Sequence, residues 1–172
     1  MTEAPGPTLE LQPVNGAHKP PLIQVEPAYK NVLRVRMATT WFPLIIGALV
    51  LDRAIDGTIY HGLPSLLVPL LALISLSVAP QRIYSHLGYR LTERLLQVVR
   101  GWMFHTDTIV PFVRVQHIDV TRGPVEKLFG TATLVVHTAG THNSVVNLPG
   151  LAPETAAEIR NVIREHVRTD FE

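Results

Sequence analysis

The stretch Leu63–Ala79, LPSLLVPLLALISLSVA, decides the fold: its seventeen residues carry no charge and ten of them are Leu, Ile or Val. A helix rises ~1.5 Å per residue, so the stretch covers roughly 25 Å, and a start at Tyr60 brings it close to the ~30 Å hydrocarbon layer of a bilayer. The ten aliphatic residues favour insertion by about 0.3–0.6 kcal/mol each, about 3–6 kcal/mol together, with no charge opposing them. A core helix of a soluble protein would instead show polar residues every three or four positions. Here Leu66, Leu67, Leu70, Leu71, Leu73 and Ile74 run right around the helix. Pro64 falls in the first turn, where no needed donor is lost, and Pro69 imposes a kink that neighbouring groups accommodate in lipid. The stretch reads as a membrane-spanning helix.

A second uncharged run precedes it, Met37–Leu51, MATTWFPLIIGALVL, interrupted by Pro43 and Gly47. At fifteen residues it is short. It spans if Arg34 and Arg36 snorkel while Trp41 sits at the interface, or if the helix continues past Asp52. A re-entrant or interfacial segment is the competing reading. With Tyr60 as a further interface anchor, residues 31–81 are expected to form a helical hairpin. Lys30, Arg34 and Arg36 precede it and Arg82, Arg90 and Arg94 follow, whereas the connecting loop holds only Arg53 beside Asp52 and Asp56. The positive-inside bias then predicts a two-pass protein of the cell membrane with both termini cytoplasmic. Thirty-six mostly polar residues before the first apolar run argue against a cleaved export signal.

Whole-chain composition agrees. Of 172 residues 47% are hydrophobic and 17% charged, lean against a usual quarter, and the mean hydropathy is +0.21. Fifteen basic residues against fourteen acidic ones give no bulk attraction to nucleic acid. The lack of cysteine excludes disulfides, thiolate nucleophiles and cysteine zinc sites. Residues 1–30 hold six prolines without periodicity, which predicts a disordered or extended tail. Pro20 and Pro21 favour polyproline geometry, but no PxxP signature assigns a ligand role.

Residues 82–172 change character. YRLTERLLQVV, WMFHTDTIVPF, VRVQHIDVT, TATLVVHTA and SVVNL are rich in Val, Ile, Thr and aromatics and are separated by Gly, Pro or Asn. Five to seven strands about ten residues apart predict an antiparallel barrel or sandwich. In TATLVVHTA the alternation places Ala132, Leu134 and Val136 on a core face, opposite Thr131, Thr133, Val135 and His137. The apolar face switches between Val113, Val115 and Ile118, Val120, which predicts a bulge near Gln116 or His117. Pro153 followed by Glu154 signals a helix start. Ala156, Ile159, Ile163 and Val167 form its buried stripe, leaving Arg160, Arg164 and Arg168 wet.

The stretch VRVQHIDVTRGPVEKLFGTATLVVHTAG, Val113–Gly140, resembles the signature of the YdbS-like bacterial pleckstrin-homology membrane proteins. The likeness includes Gln116, the Gly123-Pro124 turn, Lys127, Phe129-Gly130, Thr138-Ala139-Gly140 and LPGL before the last helix, in the right order from Leu33 to Val167. It implies a two-helix transmembrane hairpin followed by an all-β PH-like barrel of about seven antiparallel strands, capped by a C-terminal α-helix. It also implies, as a partner, a larger membrane relative carrying several such domains.

Gly130 and Gly140 are expected to supply positive φ at the turns bracketing a strand, with Phe129 as a core plug. No P-loop, G-x-S-x-G, H-E-x-x-H or dinucleotide fingerprint is present. His137, His142, His105, Asp107 and His117 come nearest to a cluster, but histidines on exposed strand faces are usually plain polar surface. The expectation is a non-catalytic protein without metal or cofactor. Each basic residue near an anionic leaflet contributes about 1 kcal/mol, so Arg82, Arg90, Arg122 and Lys127 are the candidate contacts to lipid headgroups or a partner. Two functions remain: an interaction module whose domain docks another protein or a second copy, or an auxiliary subunit of a transport or stress-defence complex acting through its hairpin.

Overall fold

The computed structural model describes residues 22–92, 94–139 and 145–169, with side chains described as far as His166. The expectations placed on residues 1–21, Gly140 and His142, and on the side chains of Val167 and Arg168, lie outside the described residues. Elements run in the order β1 (Ile23–Gln24), α1 (Tyr29–Ala54), α2 (Leu63–Ser85), β2 (Gly88–Leu91), β3 (Leu95–Arg100), β4 (Thr106–Pro111), β5 (Val115–Thr121), α3 (Pro124–Leu128), β6 (Ala132–Thr138), β7 (Val145–Leu151) and α4 (Pro153–Thr169), with a 3-10 turn over Phe112–Arg114.

The hairpin is longer than its charge-free runs. α1 holds 26 residues and passes straight through Asp52, which meets one of the two conditions for a span. Asp52 is only 8% exposed because its Oδ1 accepts the Gly62 N–H at 2.6 Å. The carboxylate thus satisfies a donor at the start of α2, where backbone N–H groups have no helical partner. α2 packs antiparallel along α1, and Ala48, Ala72 and Ala79 are buried in the helical pair. Small side chains let the two backbones approach closely.

The seven strands are all antiparallel, in two sheets of order β1-β2-β3-β4 and β5-β6-β7. They do not close into a single hydrogen-bonded ring among the described residues. YRLTERLLQVV divides into the β2–β3 hairpin, closed where the Thr92 N–H donates to the Leu95 carbonyl at 3.0 Å. The pairing of β5 with β6 skips one residue between Val115 and His117, so the bulge falls on Gln116, as the face switch required. Leu96, Val98 and Val110 from the first sheet meet Leu134, Val136, Val146 and Leu148 from the second, and Ala156, Ile159 and Ile163 of α4 complete the core. α4 lies against β5, β6 and the 3-10 turn, and the Phe112 ring meets His166 edge-on at 5.6 Å. Arg164 is exposed but Arg160 is half-buried, so the arginine face is only partly wet.

Three expectations shift. Residues 22–30 do not belong to a disordered tail: β1 pairs with β2, Ile23 opposite Tyr89 and Gln24 opposite Gly88, and Val25 is buried. Thr131 is fully buried and leaves the alternation of β6, because its N–H still donates to the Glu126 carbonyl at 2.9 Å and ties it to α3. The expected Gly123-Pro124 turn is the start of α3, where Glu126 Oε2 accepts the Gly123 N–H at 2.8 Å and Oε1 accepts the Thr133 hydroxyl at 2.7 Å. Gly130 does take positive φ, +65°, and Phe129 is a half-buried plug packed at the margin of the core.

The junction between hairpin and strands is continuous. Tyr29, Val32 and Leu33 of α1 and Tyr84 of α2 belong to the same core as the sheets. Glu26 N–H donates to the Gly150 carbonyl at 2.7 Å, Tyr84 hydroxyl donates to the Val25 carbonyl at 3.2 Å, and Lys30 Nζ sits 4.3 Å above the Tyr84 ring. The boundaries expected at 30/31 and 81/82 therefore cut through shared core.

Candidate membrane-facing surface

Because α1 leaves the strands and α2 returns to them, the start of α1 and the end of α2 lie at the same end of the hairpin. Arg34, Arg36 and Arg82 all occur there and all are exposed. Arg34 Nη1 donates to Asn31 Oδ1 at 3.1 Å, which steers its guanidinium back along the helix. Trp41 is half-buried a little over one turn further on, and Tyr60 is exposed in the turn at the opposite end. Tyr60 thus marks the interhelical end, whereas Trp41 falls near the middle of α1, close to the start of its charge-free run at Met37.

The other basic candidates separate into two kinds. Lys127 on α3 and Arg122 just before it are exposed, and α3 packs against α1. Arg122 Nε donates to the Thr131 carbonyl at 3.3 Å. Arg90 is turned into the first sheet. Its Nη1 donates to Gln97 Oε1 at 2.9 Å, and Gln97 Nε2 donates to both Asp107 oxygens at 2.8 and 2.7 Å. Arginine, amide and carboxylate thus form a charge-balanced chain across β2, β3 and β4. Among the described residues Arg90 Nε is buried without a partner, and the Nη1 bond to Gln97 ties this side chain to the sheet.

The histidines form a surface ladder. His117 and His137 face each other across β5 and β6, their ring centroids 6.0 Å apart. Asp119 reaches His117 Nε2 at 2.9 Å and His137 Nε2 at 3.9 Å. Among the described residues no three His, Cys, Asp or Glu side chains converge as metal ligands, and His105 lies in the β3–β4 loop of the first sheet, whereas this pair belongs to the second.

One feature escaped the sequence reading. WMFHTDTIVPF reads as a strand throughout, yet β4 begins only at Thr106, and Trp102, Met103 and Phe104 stand in the preceding loop, 47%, 75% and 82% exposed. Gly101, at φ +122°, was the available signal: a glycine followed at once by three bulky apolar residues.

The apolar windows of α1 and α2 are only 11% and 17% buried by the rest of the protein. Core helices of soluble proteins are mostly covered, and these two are not. The family model described as the bacterial PH domain matches residues 41–167. The chain belongs to the bacterial PH domain family. It is similar to the transmembrane protein YdbS of Bacillus subtilis (strain 168), 31% identical over 97 residues, which is 56% of this chain and 59% of that protein. This chain thus spans about six tenths of the curated relative it matches. No solved structure matches it significantly. Two lipid-length apolar helices, a bacterial PH domain and a transmembrane relative together make this a membrane-associated PH-like protein.

Proposed function

We propose that this bacterial PH-domain protein is a non-catalytic interaction and scaffolding module, anchored by a two-pass hairpin and presenting its strands at the cytoplasmic face. The single observation that supports this best is the shared core at the junction. Tyr29, Val32, Leu33 and Tyr84 are built into the strand domain, so the domain rides on the hairpin at a fixed height and orientation. A flexibly tethered domain would explore many orientations, whereas a seated one offers the same surface to every neighbour and loses less freedom on docking.

The surface offered is the edge of β4. This strand ends the first sheet, Ile109 on it is exposed, and exposed Val113 follows at the corner into β5. An open edge with apolar side chains suits addition of a strand from a partner. The partner class we propose is another membrane-anchored protein, first among them a larger relative with several such domains, with a second copy of this chain as the alternative. Arg82, Arg122 and Lys127 would meet anionic headgroups beside it, and no nucleic acid or cofactor enters the reading.

A second reading, an auxiliary subunit acting through its hairpin, is favoured by Gly47, around whose Cα there is open space on a face where another helix could pack. Photo-crosslinkers placed separately at Ile109 and at Gly47 in native membranes discriminate the two. Crosslinks from Ile109 to a discrete membrane protein support docking through the domain. Crosslinks from Gly47 alone overturn it in favour of the hairpin.

A further inference from the structure

We propose that the β3–β4 loop, led by Trp102, Met103 and Phe104, is a third membrane contact whose side chains enter the boundary between headgroups and acyl chains beside the end of α2. The inference rests on the anchored reading above. Its first support is position. Val99 pairs with Gly88 on one side and with Asp107 on the other, and Arg100 pairs with Thr106, so the loop of residues 101–105 closes the sheet at the end where β2 emerges from α2. His105 lines the same shallow cleft as Ser85 and His86, the last helical residue of α2 and its cap. The uncharged run ends at Gln81, only four residues before Ser85, or ~6 Å along a helix. Side chains projecting from this loop therefore start within about one helical turn of the apolar layer.

Chemistry is the second support. Three consecutive large apolar side chains lie out in the open, a local density that solvent-facing loops of soluble domains avoid. Their order of types also fits an interface: tryptophan prefers the headgroup level, with Met and Phe supplying the apolar reach. Arg100 precedes the loop and His105 closes it, which places polar groups at its base.

The loop is also preset in shape. Gly101 holds φ +122°, and a Cβ there would collide with the Phe104 backbone carbonyl, so only glycine lets the chain fold back this sharply. A preset loop pays little ordering cost on entering lipid. Continuity with the hairpin favours the bilayer as occupant over a second protein, since the same end of the domain is already fixed against it through Tyr84 and Leu33.

The chain has two tryptophans, Trp41 and Trp102, which makes the test direct. The full chain is reconstituted in phosphatidylcholine vesicles as Trp41→Phe and, separately, as Trp102→Phe, and the remaining emission is followed with lipids brominated at shallow or deep acyl positions. The proposal expects Trp102 to emit at short wavelength and to lose most of its intensity to shallow bromines, with less loss to deep ones. If Trp41 is quenched while Trp102 emits as in water, or is shielded yet unquenched by any bromine, the loop proposal is overturned and the hairpin stands. If neither is quenched, the anchored reading itself fails.

Discussion

Tyr29 packs directly against Gly150: a Cβ built at position 150 would sit 2.7 Å from Tyr29 Cγ. The first turn of α1 thereby reaches β7, the last strand before α4, and the hairpin is keyed into the strand domain. Gly150 also holds φ +79°, a conformation that L side chains adopt only with strain. Gly150→Ala should cost about 2–4 kcal/mol through strain and overpacking together, read as a lower unfolding midpoint for the full chain in detergent. An unchanged midpoint would mean that the hairpin and the strands are not one cooperative unit.

Asp52 joins the two helices at the opposite end. Its Oδ1 takes the Gly62 N–H at 2.6 Å, satisfying a donor that the start of α2 leaves without a helical partner. Asp52→Ala should loosen the turn. Increased protease nicking between Asp56 and His61 in reconstituted protein checks it, and Asp52→Asn, which keeps an acceptor oxygen, should restore most of the protection.

Arg90 and Asp107 depend on Gln97 between them. Replacing Gln97 with Leu leaves a half-buried guanidinium and a carboxylate without their bridging amide, at about 1–3 kcal/mol. The expected outcome is a clear loss of stability, measured by denaturant titration. Swapping Arg90 for Met together with Gln97 for Leu should recover part of that loss by removing the stranded cation.

Burial, followed by the nearby Glu26 and Glu158 carboxylates, holds the Tyr89 hydroxyl above its ordinary value of 10.0. The folded state thus favours the neutral phenol. Its stabilising contribution is fully present below pH 10, the unfolded value, and is lost as the pH climbs from there through the raised folded one. Circular dichroism should show stability falling above about pH 10 more steeply in the natural sequence than in Tyr89→Phe. Equal slopes would remove Tyr89 as the cause.

Much of this was legible in the sequence because it follows from local rules. Leu63–Ala79 needed only a length and an absence of charge, Gln116 betrayed its bulge through the switch from Val115 to Ile118, and Pro153 with Ala156, Ile159 and Ile163 announced α4. What stayed hidden depends on partners distant along the chain. Ile23 and Gln24 form a strand only because Tyr89 and Gly88 lie beside them, and nothing within the proline-rich context of residues 20–27 reports that pairing. The fate of Arg90 follows from a register that sets it opposite Gln97. Trp102, Met103 and Phe104 have strand-like composition, and only the backbone turn at Gly101 lifts them out of the sheet.

The central claim is a hairpin that spans the bilayer and leaves the strands inside. Since the chain has no cysteine, single cysteines report topology without background. Tyr60→Cys in the interhelical turn and Glu154→Cys at the exposed start of α4 are treated in intact cells with a membrane-impermeant maleimide. Labelling of Tyr60→Cys from outside, with Glu154→Cys labelled only after the membrane is opened, is the predicted result. Labelling of Glu154→Cys in sealed cells, or of neither position until lysis, contradicts it.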